Sequence, residues 1–393
     1  MNIDLLHHDL MRGGGGEAVA VHAIEAIQQH HEVTVHTFTS PDIAWLNDHF
    51  NAAVDGDRLE IVQYRTTGRI LETLKDRTGF GFDVLSGALL AQRYRRYRPQ
   101  GELAVSTINE LPLDVPSVQY VHLPQFNRSV LPATHSHDSV AYDLYDSLSR
   151  RLCDYDVSTV QTASRLLANS RWTASLASRV YSGDPSVVYP PVDTETFREC
   201  RRVDWEDRDP SFVSIGRLAP IKRVERVIRI VDALRAEHSR SAGLYIVGPP
   251  ANEQYAERIR TLAGDREFIN LEGELGHDSD RLQSLIAENR YYLNGTEHES
   301  FGISIAEAIA GGMVPFVPDN GGQREVVGRI DELLYTGISD AVERIEAVMR
   351  SESTQRELRS RLPDPESVFG LERFRRQVDE HVTRAADELV EHP

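Results

Sequence analysis

Short apolar runs alternate with longer amphipathic stretches along most of this chain, and the alternation predicts its elements. In the first half "IDLLHH", "EVTVHTF", "LAVSTI" and "SVQYVHLP" have the length and β-branched content of strands. "EAVAVHAIEAIQQH" and "FDVLSGALLAQRYRRYR" repeat apolar residues at helical spacing. Alternation restarts beyond residue 210, where strands at "SFVSIG", "GLYIVG", "FINLEG", "RYYLNG" and "VPFVP" are separated by helices at "RVERVIRIVDALRAE", "EQYAERIRTLAG", "RLQSLIAE" and "SIAEAIAG". Such alternation builds right-handed βαβ units around a parallel sheet. The expectation is an α/β protein of two Rossmann-like, doubly wound parallel-sheet domains facing a cleft, with ligands outside the carboxyl ends of the strands. The first domain is expected over 1–195 and the second over 205–368. Between them "TETFRECRRVDWEDRDP", polar, charged and proline-bounded, reads as a linker, and the terminal "LERFRRQVDEHVTRAADELVEH" reads as a helix.

Composition narrows the classes. A chain of 393 residues, 40% hydrophobic, has enough apolar material for two or three cores. No uncharged apolar run of membrane-spanning length and no leader pattern is visible, so a cytoplasmic location is the default expectation. Cys153 and Cys200 make no CxxC, which points to reduced structural thiols rather than a disulfide framework or a zinc site. Asp and Glu number 61 against 43 Lys and Arg, a net charge of −18 that argues against nonspecific nucleic-acid binding. Only Lys75 and Lys222 are lysines; every other cation is an arginine. A carboxylate-rich, lysine-poor surface suits work in high salt, although GC-rich coding alone would also favour arginine.

The glycine run Gly13–Gly16 sits between a predicted strand and a predicted helix. With Ala18 it formally satisfies GxGxxA, the dinucleotide fingerprint, so an oxidoreductase is a rival reading. That fingerprint needs an acidic residue at the end of the second strand for the ribose. Here the strand end offers His36, Thr37 and Thr39, which opposes the dinucleotide reading but leaves a close backbone approach to a ligand in place. In "SIGRLAPIKRVERVI", Arg217 and Lys222 lie just after a strand and around a helix start, the arrangement of a diphosphate clamp built from a guanidinium fork, a point charge and helix amides. In "EHESFGISIAEAIAGG", Glu299 precedes a helix whose start, Phe301 to Ser304, presents backbone N–H groups, and seven residues, including the turn "SFG", separate it from Glu307. Ser304 and Glu307 have capping-box spacing, so a purely structural role for Glu307 stands beside a functional one. "DNGGQREVV" makes a further loop after the next strand.

"GRLAPIK" followed by E-x7-E within "EHESFGISIAEAIAGGMVPFVPDNGG" resembles the retaining glycosyltransferases of family 4, which have the GT-B fold. The resemblance implies that Arg217 and Lys222 hold the donor's diphosphate, that Glu299 contacts the transferred sugar and that Glu307 contacts the nucleoside ribose. It also implies that Phe301, Gly302, Ile303 and Ser304 line the donor sugar and that Leu275 in "EGELG" cradles the nucleobase. "GGGGE", "QYVHLP", "LLANSRWTA" and "VVYPPVDT" are most similar to the dolichol-pathway α-1,2-mannosyltransferase branch, although that branch carries membrane-spanning sequence and this chain shows none. By that similarity Gly15 and Gly16 bring backbone against the donor phosphate, His122 stands beside the donor sugar, and the terminal helix 370–393 crosses back to the first domain.

The expected function is transfer of a hexose, of mannose or glucose type, from a GDP- or UDP-linked sugar to a glycan or lipid-linked acceptor. Catalytic roles fall to Glu299, His122, Arg217 and Lys222. No divalent metal is expected to be required, since Arg217, Lys222 and the helix terminus can neutralise the diphosphate; neither "SPD" at 40–42 nor "DSD" at 278–280 adjoins them. A catalytically silent glycan-binding or nucleotide-sugar-binding relative is the alternative. Within 82–98, Arg93, Arg95, Arg96 and Arg98 interleave with Tyr94 and Tyr97 after an apolar run. That stretch reads either as an interfacial helix on anionic membrane or as an ordinary amphipathic helix with a basic end.

Overall fold

A computed structural model describes residues 1–78, 82–97, 101–132, 140–238 and 241–391. The chain divides into two compact units, Met1–Pro191 together with Leu371–Pro393, and Val192–Gly370. The first unit holds β1 (Asn2–Leu6), β2 (Glu32–Thr37), β3 (Leu59–Gln63), β4 (Leu103–Ser106), β5 (Ser117–Val121), β6 (Ser164–Ala168) and β7 (Ser186–Val187). They pair in the order β3-β2-β1-β4-β5-β6-β7, every ladder parallel. Strands β4 and β5 are buried along their whole length, which is why they read as nearly continuous apolar runs: helices cover both faces of a parallel sheet. Chain order reverses between β1 and β4, the switch point where such sheets bind ligands.

The helix Leu371–Glu391 belongs to this first unit. Phe374, Val378, Val382 and Ala386 recur every fourth residue, so they fall on one stripe and bury it in the core with Val19, Ile24, Val105 and Tyr120. The stretch read as an interfacial helix is the helix Asp83–Tyr97, and its apolar side is turned inward: Ala88, Leu90, Ala91 and Tyr94 are buried. Tyr94 donates to Asp4, Arg93 to Thr67, and Arg95 to the Cys153 carbonyl and Asp154, which leaves Arg96 and Tyr97 on the surface. Arg98 lies outside the described residues. The apolar run is therefore spent on the protein's own core, the ordinary amphipathic alternative. Among the described residues no helix is long and apolar enough to cross a membrane.

The second unit holds β8 (Asp209–Ile215), β9 (Leu244–Val247), β10 (Ile269–Gly273), β11 (Asn289–Leu293), β12 (Val314–Pro318) and β13 (Leu334–Tyr335) in the order β10-β9-β8-β11-β12-β13, again all parallel. Its switch point lies between β8 and β11. The segment expected to be a linker is instead packed into this unit. Phe197, Cys200, Trp205 and Arg208 are buried, and Arg201 and Arg208 donate to the carbonyls of Ile309, Ala310 and Gly311. Those carbonyls end the helix Ile303–Ala310, where cations offset the negative end of the dipole. The charges that suggested a solvated linker are spent on a helix terminus. Both cysteines are free and buried, and burial pushes the Cys153 thiol up to about 12.

Candidate active site

At the switch point of the second unit, β8 runs into Gly216 and the exposed Arg217, followed by the single turn Pro220–Lys222. Arg223 then takes a left-handed conformation, φ 46°, uncommon for a side chain with a Cβ, and the helix Val224–His238 begins. That reversal directs Lys222 back towards the end of β11. Lys222 Nζ lies 2.6 Å from Glu299 Oε2, and both side chains are largely buried. Beside them Glu297 accepts from Arg226 and pairs with Arg223 at 3.0 Å. Burial opposes ionisation of Glu297, but the two guanidiniums outweigh it and hold its carboxyl below the usual range.

The loop carrying Glu299 is shaped by glycines. Gly302 has φ +106° and starts the helix Ile303–Ala310; a Cβ there would lie 2.5 Å from the Ile305 side chain. Gly321, φ +70°, lets the "DNGG" loop close on Glu299: an added Cβ would stand 2.5 Å from the Glu299 carbonyl, which accepts from the Gly322 N–H at 2.7 Å. Phe301 is buried edge-on against Phe369, so this residue can offer a ligand only its backbone. Ile303 and Ser304 form the first turn of the helix.

The capping-box expectation fails. Gly302, not Ser304, is the residue that starts the helix, and Ser304 bonds Tyr292 at 2.8 Å. Glu307 reaches away from its own terminus to His277 Nε2, 2.9 Å off in the loop after β10. Leu275, half-buried, lies two residues earlier in the same loop. The structure thus brings Lys222 and Glu299 into direct contact, and places Arg217 at the end of β8 and Glu307 one turn into the helix that follows Glu299. His277 escaped sequence reasoning, as did Arg223, Arg226 and Glu297. For His277 the signal was its place two residues after Leu275 in "ELGHDSD".

In the first unit the helix Gly15–Ile27 starts at the glycine run, with Gly14 extended and donating to Glu17 Oε2 at 3.0 Å. Gly15 is exposed, and a Cβ on Gly16 would come within 4.0 Å of His122 Nε2. His122 follows β5; its Nε2 sits 3.0 Å from the Thr107 carbonyl, which can only accept, so the proton is on Nε2 and Nδ1 carries the lone pair. Burial lowers its pKa, keeping the ring neutral. Asn109, φ 99°, clamps the turn by accepting from the backbone N–H groups of His122 and Leu123 at 2.7 and 2.9 Å. His7 bonds Thr107 at 2.9 Å and stands 3.6 Å from Glu17. The pair "HH" at the end of β1 was the available sequence signal, since it lies at the switch point. His36, the alternative to a ribose acid, is tied to Tyr64 and Asp4.

These buried groups set an acid limit on the first unit. Burial, reinforced by His7, pushes His8 down to about 3, and neither of its ring nitrogens has a hydrogen-bond partner among the described residues. Burial works against ionisation of Glu17, but the neighbouring imidazoles of His7 and His8 and the backbone N–H groups at its helix start together outweigh it and hold the carboxyl at about 2. An unfolded His8 takes up a proton near its ordinary 6.5 that the folded chain refuses, and an unfolded Glu17 does so near 4.5. Both contributions are present at higher pH and are lost on acidification, His8 between about 6.5 and 3 and Glu17 between about 4.5 and 2. His22 and His122, lowered by burial, act in the same direction as His8. Glu110, which burial raises to about 7, opposes them between pH 7 and 4.5. Melting temperature should therefore fall most steeply below 4.5, and between 6.5 and 4.5 it should fall less in His8→Leu than in wild type. A variant that loses as much as wild type between pH 6.5 and 4.5 would contradict this account.

Residues 197–363 match the family described as Glycosyl transferases group 1. Among curated proteins, the chain is 23% identical over 289 residues to a GDP-Man:Man(3)GlcNAc(2)-PP-Dol alpha-1,2-mannosyltransferase of Dictyostelium discoideum, covering 66% of this chain and 57% of that one. It is 29% identical over 194 residues to the Xenopus laevis protein of the same name, 47% of this chain and 40% of that one. The chain therefore spans well under two thirds of the length of these relatives. Among solved structures, sucrose-phosphate synthase from Thermosynechococcus elongatus superposes with a TM-score of 0.68 at 14% identity over all of both chains. Anabaena HepE in complex with UDP does so with a TM-score of 0.66 at 14% identity, over 98% of this chain and 100% of that one. The fold is accordingly GT-B, as the sequence resemblance implied.

Proposed function

Starting from a chain that carries a glycosyl transferases group 1 domain over 197–363, we propose that it is a retaining glycosyltransferase moving a hexose, of mannose or glucose type, from a GDP- or UDP-linked donor to a glycan or lipid-linked acceptor. The observation that carries the reading is the meeting of Lys222 and Glu299 beside the start of the helix Ile303–Ala310, at the switch point of the second unit's sheet. Lys222 and Arg217 neutralise the donor's diphosphate, and Glu299 accepts hydrogen bonds from the sugar's hydroxyls. The N–H groups around Gly302 to Ser304 add the positive end of a helix dipole. Glu307 and the Leu275 loop serve the nucleoside. In the first unit, His122 with its Nδ1 lone pair and the backbone of the exposed Gly15 and half-buried Gly16 are the groups that the proposed transfer assigns to it.

In the chemical step the bond between the anomeric carbon and the diphosphate oxygen breaks, and charge builds on the leaving group, where the cations and amides are placed to receive it. A leaving-group oxygen takes the proton of the acceptor hydroxyl, whose oxygen bonds to the anomeric carbon on the face just vacated, so configuration is retained. Positioning and charge stabilisation are the protein's share, and no divalent ion is needed for it. The mannosyltransferase names of the sequence relatives support mannose as the sugar and a lipid-linked glycan as the acceptor. A cytoplasmic setting of high ionic strength fits the charge balance, and the exposed Arg96 and Tyr97 are what the 82–98 stretch would offer an anionic membrane.

The test is thermal stabilisation by nucleotides and nucleotide sugars in molar KCl, for wild type and Glu299→Ala. GDP-mannose or a UDP-sugar is expected to stabilise wild type by about 2.7 kcal/mol at a hundred times its dissociation constant. The variant should keep the bare nucleotide's increment and lose the sugar's. Stabilisation by NAD instead, or by no nucleotide at all, would overturn the reading.

A further inference from the structure

Glu307 is a buried carboxylate one turn into the helix Ile303–Ala310, and its hydrogen-bonding partner is not on that helix. His277 crosses from the loop after β10 to engage Oε1 through Nε2 at 2.9 Å. The imidazole is held in turn: it packs edge-on against the buried Phe197 ring, centroids 4.9 Å apart, and its side chain is only 31% exposed. Leu275, in the same loop, is the residue proposed for the nucleobase. One side chain therefore joins the loop proposed for the base to the carboxylate proposed for the ribose.

We propose that His277 is a positioning residue for ribose recognition: by engaging Oε1 it aims Oε2 of Glu307 at the ribose diol. This rests on the donor-site reading above. A free carboxylate in a largely buried position would rotate or seek other donors, and a nucleotide would have to order it on binding. The groups facing the imidazole are Glu307, Asp193 at the start of the helix Thr194–Arg198, and Asp278 beside it. Burial opposes protonation of His277, but these three carboxylates, Glu307 foremost, outweigh it and raise its pKa above the ordinary 6.5. The protonated ring donates to Glu307 without a choice of tautomer; the neutral ring holds it less firmly. Nucleotide affinity should then weaken as pH rises through that raised pKa.

The experiment measures dissociation constants of UDP and GDP, and of their 2′,3′-dideoxy counterparts, for wild type, His277→Ala and His277→Gln between pH 6 and 9. His277→Ala is expected to weaken the better ribonucleotide about tenfold, the worth of one charge-assisted hydrogen bond, and to leave the dideoxy nucleotide unchanged. His277→Gln, which keeps a donor near the Nε2 position without titrating, should recover most of the affinity and show no pH dependence from this site. Equal losses for ribo- and dideoxynucleotide, or a wild-type pH profile retained in His277→Gln, would overturn the positioning role while leaving the donor-site reading intact. Failure of wild type to bind any nucleotide would overturn both.

Discussion

Lys222→Ala should lower sugar transfer by about 10²–10³-fold, the cost typical of losing one preorganised group that stabilises transition-state charge. The lysine does two things at once. Its ammonium is proposed to meet the leaving diphosphate, and it stands 2.6 Å from Glu299 in a site where both side chains are largely shielded from water. Its removal leaves the Glu299 carboxylate uncompensated where a doubly charged leaving group must sit, so donor affinity should drop together with turnover. Lys222→Arg should not restore activity, because a broad planar fork cannot occupy the place of a compact point charge whose stem packs against Gly216. The two residues are in contact, so losses in Lys222→Ala and Glu299→Ala should not add in the double variant. Initial rates with a radiolabelled donor, alongside melting curves that establish folding, decide the matter. Turnover within a factor of about ten of wild type, with unchanged donor affinity, would remove Lys222 from the machinery.

The largest stability effect is expected far from the clamp. Phe374 is fully buried on the helix Leu371–Glu391, edge-on to Tyr120 with centroids 6.0 Å apart, and heads the stripe that continues through Val378, Val382 and Ala386. Phe374→Ala removes that ring from a core shared with β1, β4 and β5 and should cost about 3–5 kcal/mol. For a unit of this size each kcal/mol lowers the melting temperature by about 2–4 °C, so a fall on the order of 10 °C is expected by calorimetry. Val390→Ala, on the same helix but 71% exposed, is the control and should move it little. If Phe374→Ala melts like wild type, the helix is not part of what holds the first unit together.

Legibility in the sequence followed range. The runs "IDLLHH", "SVQYVHLP", "SFVSIG" and "RYYLNG" announced strands because burial on both faces of a parallel sheet demands uninterrupted apolar residues, a local property. Strands β3, β7 and β13 lie at sheet edges, where part-exposed or two-residue strands carry a weaker signal, and they went unassigned, as did the interior β6, whose first three residues, Ser164, Arg165 and Leu166, are only half-buried. The residues proposed for the clamp stood out because "GRLAPIK" and E-x7-E are compact patterns tied to a strand end and a helix start. One expectation misjudged where polar side chains go: the supposed linker spends Arg201 and Arg208 on the end of a helix about a hundred residues away. Two stretches stood open between readings and tertiary contacts choose: the apolar run of the helix Asp83–Tyr97 faces its own core, and Glu307 bonds His277 rather than its own helix start.

What the sequence by itself determined is the succession of strands and helices, the two-part α/β architecture, and the loops in which glycines and charges gather. These follow from spacing at periods of two and 3.6 and from the backbone freedom of glycine, all set within a few residues. What only the tertiary structure decided is partnership. Lys222 and Glu299 are 77 residues apart, His277 and Glu307 are 30 apart, and His7 and Thr107 are 100 apart. The first and last pairs meet because β8 lies beside β11 and β1 beside β4, which brings distant strand ends together, whereas His277 crosses from the loop after the edge strand β10 to the helix that follows β11. A charge or an imidazole takes its role from the group it faces, and no local pattern specifies that group.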